Sequence, residues 1–540
     1  MAIARRLYLY LVAAAALAVW VTGAERLLTL LFLQLWEVFT EPAVVEGAEA
    51  VRRALSVSLA LLVVGFPIWA VHWWLIQRGI ATDEAEARSA IRSAFFTAVL
   101  TVTLVRWTAA SIEIMRQLFA AALGVGEPAE GTAPRVLSEL ALLLAVGGVW
   151  LGHVSLMRRA RWSLSLTGPA DWLPRLYGYA AALTGLSLLV WAVADSLTLL
   201  VDALLFPRSV IGTRLVPLSR DLALLVTGLV VWSLHWGEAL RLTARFVREQ
   251  RSLVRWAYLG FVVFSGLTGL LVAVALSLHA LLRWLLGVPD GDLADRLRQL
   301  LEPVPWAVVT AIVWWYHRRT MQHEARALTA QPGTGRDWAT ETTRSLVYLS
   351  AFVSLVVTLI GCGGLIGTLI DVVLATIGSG TLGTYRESLA LELALVLVGG
   401  GAWLASWRTV ILRTARSPAD ERRSLSRRVY LFAVLGLGVL VLLGTLGFVV
   451  YEVILWIVGL TMFSAAIGAA SEPLGFALVA ALFLAYHASV LAQDSRVLEK
   501  APTAVTVRLV LRLPPGTDPD AVVQDLATAL PEGAVLERVS

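Results

Sequence analysis

The sequence predicts an all-α polytopic membrane protein: about twelve transmembrane helices arranged as six parallel two-helix repeats, followed by a small C-terminal β-α-β tail. Three observations carry this prediction. Hydrophobic residues make up 58% of the 540 residues and charged residues only 15%, at a mean hydropathy of +0.76, which is more apolar surface than a soluble core can bury. Apolar stretches of about 18 residues or more recur from end to end, each long enough to cross the ~30 Å hydrocarbon layer as a helix. One aromatic-histidine pattern also returns six times at near-constant spacing.

That pattern pairs a tryptophan with a histidine three residues on: Trp69 with His72, Trp150 with His153, Trp232 with His235 and Trp314 with His317. The fifth copy reads Trp403 and Ser406, and the sixth Leu484 and His487. Successive copies of the histidine or its substitute lie 81, 82, 82, 89 and 81 residues apart, so the repeat is the organising unit of the chain. Each unit opens on a basic residue shortly before an aromatic: Arg6 with Tyr8 and Tyr10, Arg92 with Phe95 and Phe96, Arg175 with Tyr177 and Tyr179. The series continues with Arg255 and Tyr258, Arg344 and Tyr348, and Arg428 and Tyr430. The units are 1–80, 81–165, 166–248, 249–330, 331–416 and 417–497, with the tail at 498–540.

Within the units the apolar patterning places first helices at 7–36, 93–122, 175–205, 255–286, 345–376 and 428–460. Second helices follow at 53–77, 136–157, 221–241, 303–319, 389–412 and 473–493. The first helices, at 1.5 Å per residue, are ~45 Å long and must tilt or project, whereas the second helices are close to one bilayer thickness. The basic start before 7–36 reads as the beginning of a retained helix, because the apolar run is too long for a signal-peptide core. Loops before first helices, with the chain's start, hold 26 arginines against 9 in the loops within units. By the positive-inside rule both termini are cytoplasmic, and every unit enters the membrane in the same sense.

After Lys500 the pattern changes. Val505, Val507, Leu509 and Leu511 alternate with polar residues as in a strand, Asp518 and Pro519 open a helix to about Leu530, and 534–539 forms a closing strand. Such a piece is too small to bury a core alone, so it is expected to dock on the membrane domain, on another copy of the chain, or on a partner protein. The net charge of +5 does not point to nucleic acid, since the arginines sit in short loops between apolar segments. The single cysteine, Cys362, excludes an internal disulfide and a multi-thiol metal site.

Trp69, Trp150, Trp232, Trp314 and Trp403 share a helix face with His72, His153, His235, His317, Ser406 and His487, because residues three apart lie on adjacent turns. Arg78, Arg159 and Arg241 follow their histidines by six residues, so the row lies near the basic headgroup side. An interfacial belt with a helix-packing role accounts for it most simply. The sharper reading is a titratable collar at a lumen, a pore or ligand row. Haem ligation is a third reading, although five imidazoles with one vacancy do not sort into facing pairs.

Charges within first helices form a second group, with Arg106, Glu113 and Asp195 foremost beside Glu25, Arg26, Asp202, Asp371 and Glu452. Arg106 lies deep enough to require a partner, and Glu113, two turns on, is too far to be that partner. A carboxylate from a neighbouring helix is therefore expected. Gly378, Gly380 and Gly383 spell G-x-G-x-x-G but lack the preceding strand that a dinucleotide site needs, while Gly363 and Gly367 are close-packing points between helices. Motifs for zinc proteases, serine hydrolases, phosphate loops and paired thiols do not occur in the sequence.

The opening Arg6, Tyr8, Tyr10 and the closing Pro67, Trp69, His72, Trp73 resemble a family of uncharacterised bacterial multi-pass membrane proteins known only as a domain of unknown function. The resemblance spans the six units and not the tail. It implies the topology and supplies neither an activity nor site residues. The expectation is a non-enzymatic protein of the bacterial cytoplasmic membrane, a channel or transporter-like conduit or a scaffold, without cofactor or metal. The alternative is a redox membrane protein that binds haem or another cofactor through the repeated histidines.

Overall fold

The computed structural model describes residues 2–40, 48–127, 129–163, 167–206, 211–289, 291–331, 337–377, 385–500, 513 and 518–530. Runs of alanine, leucine and valine with few internal breakers make nearly all of them helical. Unit 1 is the hairpin of α1 (Ala2–Thr40) and α2 (Ala48–Thr82), followed by the short α3 (Glu84–Ala87). Unit 2 is α4 (Ala90–Ala122) with α5 (Ala129–Ser163), and unit 3 is α6 (Pro169–Leu205) with α7 (Ile211–Arg245) and the short α8 (Val247–Gln250). Unit 4 holds α9 (Leu253–Leu285), α10 (Leu293–Leu301) and α11 (Val304–Thr329). Unit 5 holds α12 (Trp338–Ile377) and α13 (Arg386–Arg416), followed by the short α14 (Pro418–Arg423), and unit 6 holds α15 (Leu425–Ile457) and α16 (Phe463–Lys500).

The helices pack in series. In units 1 to 5 each first helix lies against the second helix of its own unit, and α5, α7, α11 and α13 also pack on the first helix of the preceding unit. In unit 6, α15 meets α16 at Gly438 and Leu484. First helices touch in order, α1 with α4, α4 with α6, α6 with α9, α9 with α12 and α12 with α15. A second helix is thus wedged between two successive first helices, and the buried apolar clusters run from one unit into the next. Close approach within hairpins depends on small residues. A Cβ on Gly266 would lie 3.1 Å from the Trp314 backbone, and one on Gly438 only 2.7 Å from the Leu484 side chain. Gly363 and Gly367 of α12 likewise press on Phe476 and Glu472 of α16, as the sequence predicts.

Two features differ from expectation. Among the described residues, eleven helices rather than twelve are long and apolar enough to cross a membrane. The exception, α11, holds the second-helix position of unit 4, but its apolar run ends at Arg318 and Arg319, and the polar residues before it form the separate amphipathic α10. Second helices are also longer than one bilayer thickness, 35 residues in α2, α5 and α7, because the arginine-bearing segments after the histidines continue the helix. In the tail, Asp518 caps α17 (Pro519–Ala529) by accepting from the Asp520 N–H at 3.0 Å. The strands predicted at 505–511 and 534–539 lie outside the described residues, as do Gly378, Gly380 and Gly383. The chain divides into two compact units, Met1–Leu491 and Ala492–Ser540.

Candidate functional site

The histidine row marks the junctions between successive units. In His72, His153, His235, His317 and His487 the Nδ1 atom lies 2.8 to 2.9 Å from the carbonyl oxygen four residues earlier. A carbonyl only accepts, so Nδ1 carries the proton and Nε2 presents its lone pair. At the junction of units 2 and 3 that lone pair meets the Tyr177 hydroxyl at 3.1 Å, and the same hydroxyl oxygen accepts from Trp150 Nε1 at 2.7 Å. Protons therefore point one way, from the indole of one unit through the tyrosine to the imidazole of the next. At the junction of units 5 and 6, Trp403, Tyr430 and His487 repeat the chain at 3.4 and 3.1 Å.

The two halves of each Trp-x-x-His motif thus serve different junctions. The tryptophan faces the following unit and the histidine faces the preceding one. At the junction of units 1 and 2 the tyrosine position is Phe95, and both Trp69 Nε1 and His153 Nε2 are buried without a hydrogen-bond partner. At the junction of units 3 and 4, Tyr258 packs on His317 with ring centres 5.9 Å apart, and Trp232 Nε1, the Tyr258 hydroxyl and His317 Nε2 are each buried without a hydrogen-bond partner among the described residues. In unit 5 the tyrosine and the histidine are lost together, replaced by Leu346 and Ser406, which leaves Trp314 Nε1 buried and unpartnered. In unit 1, Tyr8 and His72 pack on each other at 5.7 Å, and Tyr8 is exposed.

Odd and even units differ. At the three junctions inside a pair of units a second tryptophan, Trp73, Trp236 or Trp407, packs on His153, His317 or His487 with ring centres 5.5 to 5.6 Å apart. A tyrosine of the odd unit completes each cluster: Tyr10 on Phe95, Tyr179 on Tyr258 and Tyr348 on Tyr430. His153, His235, His317 and His487 are all buried.

Ion pairs brace the basic side of these clusters. Arg6 pairs with Glu86 at 2.5 Å, Arg175 with Glu249 at 2.9 Å and Arg344 with Glu421 at 3.0 Å. Each of these carboxylates stands on the short helix that follows an odd unit. Arg255 pairs with Glu324, donates to the Tyr179 hydroxyl at 2.9 Å and lies over the Trp236 ring. Burial alone would raise the Glu249 carboxyl. The hydrogen bonds from Arg175 and the charges of Arg161, Arg175 and Arg248 outweigh it and hold the group below the usual carboxylate range.

Arg106 has the neighbouring-helix carboxylate that its depth requires, Glu25 of α1 at 2.7 Å. Glu113 is engaged on its own helix by Arg116 at 2.7 Å and Gln117 at 2.8 Å, and Asp195 accepts from Arg220 of α7 at 2.8 Å. None of these is drawn into the histidine row. The cavity beside Tyr177 and His235 is about 30 Å³, which admits water and not a substrate. A wider apolar groove of about 220 Å³ opens beside His153, where Gly152 stands in the position of Tyr316 and Tyr486. The described residues contain no group of three or more side chains placed to hold a metal ion. In sequence, the row was visible, but the tyrosines that receive it were seen only as helix openings. Their register, two residues after Arg6 and Arg175 and three after Arg255, is the signal that links them.

Three segments of the chain, 6–152, 175–302 and 344–485, match one family model, described as Domain of unknown function (DUF5671). The first and third matches each take in two units and the second reaches to the end of α10, so the family's domain begins at Arg6, Arg175 and Arg344. The chain matches no curated protein and no solved structure.

Proposed function

We propose that this chain, which belongs to the family described as a domain of unknown function (DUF5671), is a non-enzymatic membrane scaffold. In this reading it is a row of helix hairpins clipped together by aromatic-histidine junctions. One observation carries the reading: in His235 and His487 the Nε2 that a conduit or a cofactor site would use is taken by a tyrosine hydroxyl, Tyr177 or Tyr430, which also accepts from the tryptophan of the preceding unit. A lumen would leave that atom to water, and an axial ligand would need it bare. The seat is the cytoplasmic membrane of a bacterium, with both termini on the cytoplasmic side as the arginine asymmetry directs. The tail is the surface offered to a partner or to a second copy.

Reconstitution into liposomes tests the proposal. Ion and small-solute flux is expected to equal that of protein-free vesicles, and the visible absorption spectrum of the purified protein to be featureless. Currents that disappear in His235→Ala would overturn the scaffold in favour of a conduit. A haem spectrum lost in paired His→Ala variants would favour the redox alternative.

A further inference from the structure

Two cavities on the arginine-rich side, in units 1 and 5, are not used by the junctions. The unit 5 cavity, about 380 Å³, is lined by Thr340, Thr343, Arg344, Arg413, Arg416 and Glu421, with Ser417 at its rim. Its counterpart in unit 1, about 310 Å³, is lined by Arg5, Arg6, Arg78, Thr82, Asp83 and Glu86. Both have an arginine-glutamate pair as floor, with Arg413 and Arg416 from the end of α13 beside it in unit 5, and Arg78 from the end of α2 with Arg5 of α1 in unit 1.

In unit 5 the floor is electrically closed. One oxygen of Glu421 accepts from Arg344 at 3.0 Å and the other from the Tyr348 hydroxyl at 2.8 Å. Arg413 and Arg416 have no ion pair and no side-chain hydrogen bond among the described residues. Two guanidinium groups thus stand over a satisfied floor, in a concavity roomy enough for a tetrahedral oxyanion, and guanidinium forks match phosphate oxygens bidentately. The cavity lies at the arginine-bearing ends of α12 and α13, both long and apolar enough to cross a membrane, so it opens at the level of the lipid headgroups. Anionic lipid phosphates are concentrated at that level, whereas free anions are repelled by the negative surface potential.

We infer that this cavity seats the phosphate of an anionic phospholipid, with Arg413 and Arg416 supplying the charge and the Ser417 hydroxyl beside them. The inference is independent of the scaffold reading. Native mass spectrometry of the full-length protein, titrated with phosphatidylglycerol, phosphatidylcholine or inorganic phosphate, tests it. Phosphatidylglycerol is expected to bind more tightly than phosphatidylcholine. R413Q/R416Q should weaken it about thirtyfold, each arginine adding roughly fivefold. The charge-matched control R52Q/R53Q, on the within-unit loop side of unit 1, should leave binding unchanged, and Ser417→Asp should repeat the loss from a position outside the ion-pair floor. Equal binding of the two lipids, or undiminished phosphatidylglycerol binding in both R413Q/R416Q and Ser417→Asp, would overturn the assignment. Displacement of the lipid by inorganic phosphate at equal affinity would make the cavity a free-anion site and overturn the lipid source.

Discussion

At the residue scale, the junctions behave as a natural substitution series. Tyr177 satisfies both Trp150 and His235, whereas Phe95, in the same position one unit earlier, leaves Trp69 Nε1 and His153 Nε2 unpaired in a buried site. Phe95→Tyr is therefore expected to stabilise the protein by about 1 kcal/mol, read as a higher thermal midpoint in detergent, because one hydroxyl serves two orphaned groups. The reverse change, Tyr177→Phe, should cost about the same. The unit 5 junction makes a sharper case, since Leu346 and Ser406 replace both hydrogen-bonding partners at once. Leu346→Tyr and Ser406→His should each give little alone and about 1 kcal/mol more together than their sum, measured as a double-mutant cycle. The tryptophan-histidine row is legible in sequence because three residues span one helix face. The tyrosine between them is not, because it stands 27 residues beyond Trp150 and 58 before His235.

At the scale of the element, the short helices after odd units and the glycine contacts inside hairpins hold the row in register. Glu249 of α8 is nearly inaccessible and is bound by Arg175 and Arg161. Its folded-state carboxyl titrates below the unfolded value of about 4.3, so its contribution is fully present above that pH and is lost as pH falls through the folded value. Glu249→Gln should cost about 3 to 5 kcal/mol near neutrality by leaving Arg175 and Arg161 short of a counter-charge. It should also flatten the acid side of the stability profile, which thermal melts from pH 7 to 3 would record. Gly266 lies against the Trp314 backbone, and Gly266→Leu is expected to lose about 1 to 3 kcal/mol through overpacking of α9 on α11. Helix existence was legible from apolar length. Helix ends were not, because arginine is a good helix former and the loops expected after the histidines continue as helix. The start of α11 is legible, at 303 in the sequence against Val304 in the structure, but the short amphipathic α10 before it is not, because it is too short and polar to read as a span.

At the scale of the molecule, the sequence shows six units while the packing and the family matches group them in pairs. Arg6, Arg175 and Arg344 are separated by 169 residues in both intervals, as are Tyr10, Tyr179 and Tyr348. The shorter histidine period conceals this longer one, because the histidine, or Ser406 in its place, returns in both members of a pair while the second tryptophan and the short acidic helix mark only the odd one. Pairing places the densest aromatic clusters inside each family domain and the leaner contacts of Trp150 and Trp314 between domains. The central claim is that the histidine row is spent on joining units and does not face water. Single cysteines at positions 153, 235, 317 and 487, in a Cys362→Ser background, test it most directly through labelling by a membrane-impermeant thiol reagent in inverted vesicles. Protection at all four positions until the protein is unfolded is the predicted result, and rapid labelling of the four in native membranes would contradict the account.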